Sequence, residues 1–185
     1  MTTPIDLARE NGFSHIGFVP VSDLNPLEDV RDMCKSNYCG QYCANWACPP
    51  ACGSIENARE RISRYNTCII VQSTLPIADE YDYDGMREAE IPHKRRFTDF
   101  ARQMRLLCPG CLPLTAGACT LCRKCTYPAQ PCRYPQKRLY SMEALGLLVS
   151  DVCAHAHLSY NYAPCTITYT SCVLYNTAEE PQEGA

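Results

Sequence analysis

Cys119, Cys122 and Cys125 stand at C-x2-C-x2-C, Cys132 follows seven residues later, and Pro135 comes soon after. Thiolates three residues apart on a tight loop approach a metal centre from one side. The backbone N–H groups of such a loop can turn toward the sulfurs, as a 4Fe-4S cluster needs. Four thiolates on such a core leave net negative charge, and Arg123, Lys124, Arg133, Lys137 and Arg138 are placed along the chain to offset it. The rival chemistry is zinc, with Cys108-x2-Cys111 and Cys119-x2-Cys122 as two knuckles of a ribbon. That pairing leaves Cys125 and Cys132 idle, and three cysteines in successive x2 steps suit a cluster better than one tetrahedral ion. The x6 gap before Cys132 is longer than the x3 of bacterial ferredoxins.

A second group, Cys34, Cys39, Cys43, Cys48 and Cys52, falls within 19 residues, and Pro49-Pro50 follow Cys48 directly. Proline after a ligand blocks helix formation and stiffens the loop. Cys34, Cys39 and Cys48 are the first choices as ligands of a second site, with Cys52 or Cys43 as the fourth. The remaining thiol would then be a small apolar side chain. Trp46, the only tryptophan, lies between these candidates and is expected to shield a cluster from water.

Other polar groups carry weaker signals. His93-Lys94-Arg95-Arg96 reads as the opening of an amphipathic helix, either receiving a phosphate-bearing cofactor or an acidic redox partner or forming a solvated face. His93 alone is a candidate ligand or proton donor. Cys108 and Cys111 have the spacing of a redox pair but straddle an expected helix end, where plain packing serves as well. His155 and His157, two apart, read as surface residues, and Ser141 and Glu143 as capping groups.

The chain has 185 residues with 17 basic and 20 acidic side chains, a formal charge of -3 and a pI near 5.8. This balance argues against a general nucleic-acid coat or an anionic-membrane binder. No apolar run approaches the roughly 18 residues of a membrane span. Fifteen cysteines raise the possibility of a disulfide scaffold. Against it, the first residues carry neither a basic region nor an apolar run, and nine cysteines are bunched into Cys34–Cys52 and Cys119–Cys132. The expected setting is a reducing cytoplasm. Ser-His-Asp constellations, a P-loop and a G-x-G-x-x-G fingerprint are all missing, which disfavours a hydrolase or a nucleotide-dependent enzyme.

The elements that must position these loops follow from local pattern. Thr3-Pro4 opens a short helix stopped by Gly12, His15 to Val19 reads as a strand, and Leu27 to Met33 as a helix feeding the first cysteine loop. Ser54 caps a helix from Ile55 to Tyr65, and Cys68 to Val71 reads as a buried strand. Asp79 to Asp84 reads as a surface loop. Phe97, Phe100, Ala101, Met104 and Leu107 recur at helical spacing beyond Pro92. Cys111 to Thr115 reads as a strand, Ser141 to Gly146 as a capped turn, Asp151 to Leu158 as a short helix and Thr166 to Tyr175 as a late strand. Strands alternating with helices predict an α/β fold, a single layered domain over residues 1–177 with cluster loops at 34–53 and 117–138, and a disordered tail at 178–185.

Taken together, Cys34 to Cys39, Trp46-Ala47-Cys48-Pro49-Pro50, His93-Lys94, Gly117-Ala118-Cys119-x2-Cys122-x2-Cys125, Cys132-Arg133-x-Pro135 and Ser141 to Gly146 resemble a known family. It is the cysteine-rich predicted metal-binding family, domain of unknown function 2284, found mainly in anaerobic bacteria and archaea. The resemblance runs from about Leu7 to Tyr175 and implies a metal-cluster protein. Cys43, Cys52, Cys153, Cys165 and Cys172 depart from the family pattern, so the full ligand set stays open. The opening LARENGFSHIGFVPVSDL is loosely similar to corrinoid-dependent epoxyqueuosine reductases and reductive dehalogenases, which carry two 4Fe-4S clusters. The expected function is electron transfer or redox chemistry through one or two 4Fe-4S clusters, with a redox partner protein or a small-molecule substrate. The alternatives are a cluster-dependent reductase, lyase or desulfidase with an open iron, and a structural zinc module.

Overall fold

A computed structural model describes residues 2–177 of the chain, and the tail expected at 178–185 lies outside the described residues. Five strands form one sheet in the order β1-β2-β5-β3-β4. They are β1 (His15–Pro20), β2 (Thr67–Pro76), β3 (Leu112–Thr115), β4 (Tyr140–Ser141) and β5 (Thr166–Tyr175). All neighbours pair antiparallel except β3 and β4, which run parallel. Helices α1 (Pro4–Glu10), α2 (Glu28–Lys35), α3 (Ile55–Ile62), α4 (Tyr83–Leu107) and α5 (Val149–His155) complete the mixed α/β fold.

The sheet separates two cores, because neighbouring side chains on a strand point to opposite faces. Ile69, Val71, Val173 and Tyr175 pack against Leu7 and Ala8 of α1 and Phe97, Phe100, Ala101 and Met104 of α4. Cys68, Ile70, Cys172 and Leu174 face the other way, onto Ile55, Ala58 and Ile62 of α3, Leu145, and Val152 of α5. Phe97, Phe100 and Met104 are fully buried, and each such burial is worth about 1.5–3 kcal/mol. The continuous apolar run in β2 follows from having both of its faces covered.

Several boundaries differ from expectation. Helix α4 begins at Tyr83, capped by Asp82, whose carboxylate accepts the Gly85 N–H at 2.9 Å, and it runs through Pro92. The segment read as a loop to Asp84 therefore ends inside a helix, and the basic run at 93–96 lies mid-helix. Pro92 removes one helical hydrogen bond, but contacts on either side hold the helix to the sheet. The Tyr169 hydroxyl donates to the Met86 carbonyl at 2.5 Å, and His93 bonds Ser73 at 2.9 Å and Ser171 at 2.8 Å.

Helix α3 ends at Ile62 rather than Tyr65, whose hydroxyl reaches the Gly110 carbonyl at 2.8 Å. Strand β2 runs on to Pro76, paired along its whole length with β5. The Ser141 to Gly146 turn is a 3-10 turn at Glu143–Leu145, in which Ser141 Oγ accepts the Ala144 N–H at 3.1 Å. Gly146 ends it at φ +80, where an added Cβ would lie 2.9 Å from the Leu27 carbonyl oxygen. Helix α5 starts at Val149, two residues before the expected Asp151.

Candidate metal centre

The second cysteine loop leaves β3 through Gly117, at φ +63, where an added Cβ would sit 2.8 Å from Glu90 Oε1. Only glycine fits such a close approach without displacement. Lys94 pairs with that same carboxylate at 2.7 Å and donates to the Ala118 carbonyl at 3.3 Å. The middle of α4 thus anchors the start of the loop. Beyond it, Thr126 Oγ1 donates to the Pro131 carbonyl at 2.9 Å and an Arg133 Nη1 to the Lys124 carbonyl at 2.9 Å, which folds the loop back on itself. Cys119, Cys122, Cys125 and Cys132 all line one small cavity, with Trp46 and Arg138 among its other walls.

The first loop winds inward after α2. The Cys48 N–H bonds the Asn45 carbonyl at 3.1 Å, and the Cys52 N–H bonds the Cys48 carbonyl at 3.1 Å. Cys52 Sγ lies 3.4 Å from the Ala144 carbonyl. Cys48 and Cys52 are buried, Cys34 is half-buried and Cys39 is exposed. Burial, followed by the charges of Cys39, Cys52, Cys34 and Cys119, pushes the Cys48 thiol up to about 12. Cys34 is raised by burial and then by Glu143. Burial also raises Cys52, but Arg31, Arg61 and Arg138 pull it down. Cys43 is exposed at φ +55, with its N–H on the Pro49 carbonyl at 3.0 Å. It is not among the thiols that act on Cys48.

Both loops lie on the α3/α5 side of the sheet and touch. Asn45 donates from Nδ2 to the Cys119 carbonyl at 3.2 Å, and its Oδ1 accepts the Ala47 N–H at 2.9 Å. Trp46 donates from Nε1 to the Gln130 carbonyl at 3.0 Å and meets the Tyr127 ring edge-on, centroids 5.0 Å apart. Trp46, expected to shield a cluster from water, is a wall of the second loop's cavity.

Three arginines surround these thiols with N–H groups that have no partner among the described residues. Arg31, 8% exposed, donates from Nη2 to the Gly53 carbonyl at 2.7 Å, while its Nε and Nη1 are buried without partners. Arg61 Nη1 and Arg138 Nε are in the same condition. The Arg61 and Arg138 guanidinium carbons lie 4.6 Å and 4.8 Å from the Tyr140 ring centroid, and Arg138 also donates to the Tyr140 hydroxyl. Unpartnered buried donors are costly. Soft thiols with cationic guanidiniums near them fit a thiolate-bound, anionic metal centre in their chemistry.

Other candidates fall elsewhere. Cys108 and Cys111 pack against the α1/α4 core, while Cys119 packs against the opposite one, so the zinc-ribbon pairing is not brought together. Burial raises Cys108 and pushes Cys111 up to about 11, the reverse of what a reactive redox pair needs. His93 is fully buried between its two serines, and Ser171 Oγ also accepts the Ala116 N–H at 2.9 Å, just before the second loop. His155 and His157 are exposed. Cys68, Cys153 and Cys172 are buried packing thiols. Among the described residues, no three His, Cys, Asp or Glu side chains are grouped so as to hold a single metal ion. Sequence reasoning missed Asn45, Arg31 and Arg61. Of these only Arg31 left a trace, one helical turn before Cys34.

A family model described as a predicted metal-binding protein, DUF2284, matches residues 17–175. No curated protein and no solved structure matches the chain.

Proposed function

The chain belongs to the DUF2284 family of predicted metal-binding proteins, and from that premise we propose that it carries two 4Fe-4S clusters and transfers single electrons. Cys119, Cys122, Cys125 and Cys132 would hold one, and Cys34, Cys39, Cys48 and Cys52 the other. The observation that carries this reading is that four thiols at cluster spacing line one cavity, while the loop of the second group meets it where Asn45 donates to the Cys119 carbonyl. When bound, such clusters take up and release single electrons, and an iron lacking a fourth thiolate would also polarise a bound substrate.

The chain's own residues do the rest. Trp46, braced by Tyr127, walls the second cavity, Asn45 joins the two loops, and Lys94 ties the second loop to α4. Arg123, Lys124 and Arg133 line an exposed depression beside Cys122. This basic rim suits an acidic redox partner, whose approach would weaken with salt. No described helix is long and apolar enough to cross a membrane. The cytoplasm, where thiols stay reduced, is the setting this reading requires.

A second reading, a cluster-dependent reductase, lyase or desulfidase, is favoured by a cleft of about 770 Å³ lined by Met86, Glu90, Gly117, Glu143, Tyr160 and Tyr169. It lies within the size range of small-molecule sites. Gly117 stands two residues before Cys119, and Glu143 acts on the Cys34 thiol.

The test is the protein purified without oxygen. Brown colour, broad absorbance near ~400 nm that bleaches with dithionite, and iron matched by acid-labile sulfide are expected of thiolate-bound clusters. A colourless protein with stoichiometric zinc would establish the structural zinc module instead.

A further inference from the structure

We propose that Arg31, which is buried, and Arg61 and Arg138, which are half-buried, form a cationic shell that offsets the negative charge of both cysteine centres and raises their reduction potentials. This rests on the iron–sulfur reading and names the residues that tune it. Each of the three guanidiniums keeps at least one buried N–H without a partner among the described residues. Hydrogen bonds and the Tyr140 ring partner part of each guanidinium, and an anion nearby would offset the cost of the desolvated remainder. Among the described residues no carboxylate pairs with any of them, the arginine ion pairs there being those of Arg59, Arg64 and Arg102.

Their placement matches the thiols. Arg31 stands one helical turn before Cys34 on α2 and is held by the carbonyl of Gly53, the residue after Cys52. Arg61, on α3, and Arg138, at the end of the second loop, both lie against Tyr140. Two like charges held within a Debye length of about 10 Å repel, and a negative group beside them would offset that repulsion. Arg138 lines the cavity of Cys119, Cys122, Cys125 and Cys132, and it also acts on Cys52 of the other group. Arg31 thus stands beside the first group and Arg138 beside the second.

Reduction adds one electron, supplied by dithionite as it is oxidised, and makes the centre one unit more negative. No bond in the protein forms or breaks. Positive charge fixed nearby favours that reduced product, and the low dielectric around buried groups strengthens the effect.

The experiment is a mediator titration of anaerobic protein, followed by absorbance and EPR, on wild type, Arg31→Gln, Arg138→Gln, Arg31→Lys and Arg138→Lys. Arg59→Gln, an exposed change on α3, is the control. Each Gln variant is expected to lower the reduced-to-oxidised ratio about tenfold at a fixed potential, equal to about 59 mV for one electron. The Lys variants and Arg59→Gln should stay near wild type. Equal potentials in all six proteins would overturn the shell. If a Gln variant takes up no iron, loading restored by Lys supports the charge role, and loading lost in both contradicts it. Wild-type protein without iron removes the iron–sulfur reading and the shell with it, a result distinct from loaded protein whose potentials do not move.

Discussion

Asn45 reaches across 74 positions of chain to donate its Nδ2 to the Cys119 carbonyl at 3.2 Å, and its Oδ1 meanwhile accepts the Ala47 N–H. One buried amide thus sets the first cysteine loop against the second. Asn45→Ala leaves a buried carbonyl and a buried N–H unpaired, at a cost of about 1–3 kcal/mol. At roughly 2–4 °C per kcal/mol for a chain this size, thermal unfolding should move down by several degrees, with less iron retained after gel filtration. An unchanged melting curve would show that the contact does not join the loops.

Cys52 and Cys43 competed for one place in the first group, and their surroundings differ. Cys52 is buried beside Arg31, Arg61 and Arg138, whereas Cys43 is exposed and turned outward. Cys43→Ser should bind as much iron as wild type. Cys52→Ser should lose most of the iron of one centre, measured as iron per chain after anaerobic desalting. The opposite pattern would assign the fourth ligand to Cys43.

Trp46 is the only tryptophan, sits in the first loop and lines the second cavity, so its fluorescence reports on metal in the paired loops. Metal-loaded protein is expected to emit several-fold less than the same protein stripped with a chelator under denaturing conditions and refolded. Trp46→Phe keeps a ring against Tyr127 but loses the 3.0 Å bond to Gln130. A loss of about 1 kcal/mol follows, read as a lower denaturation midpoint. Emission indifferent to metal would place the centre elsewhere.

Burial, and after it the charges of Arg96 and Lys94, hold His93 down to about 3 from an ordinary 6.5. Above pH 6.5 the ring is neutral in folded and unfolded chains alike, so the full stability is present. As pH falls below 6.5, only the unfolded chain takes up the proton, and stability is lost down to about pH 3. At 1.36 kcal/mol per unit, the whole window amounts to roughly 5 kcal/mol. His93→Gln, neutral at every pH, should be less stable at pH 7.5 yet show a shallower decline between pH 6.5 and 4. Any acid release of metal is shared by both proteins, so the difference in slope isolates the ring. Parallel slopes would mean that His93 is protonated in the fold.

The parts legible in the sequence were those set by near neighbours. The C-x2-C-x2-C run needs only its own spacing to bring three thiols to one cavity, and the Phe97 to Met104 stripe needs only helical periodicity. Strand β5 matched its expected limits because its alternating β-branched and aromatic side chains are local too.

What depended on distant contacts was hidden. Pro92 concealed the first half of α4, since the bonds that override it come from Tyr169, Ser73 and Ser171 on the sheet. Arg31 looks like any helix-surface arginine until α2 packs it against Gly53. Nor could spacing separate the packing thiols Cys68, Cys153 and Cys172 from ligands, because burial by the sheet decides their role.

X-ray absorption of anaerobic protein at the iron and zinc edges tests the central claim most directly. The expected spectrum is iron with an all-sulfur first shell and a metal–metal distance from neighbouring irons, at an iron count matching two four-iron centres. Zinc in a four-sulfur shell with no second metal, or sulfurs bonded to one another with neither metal present, would contradict the account.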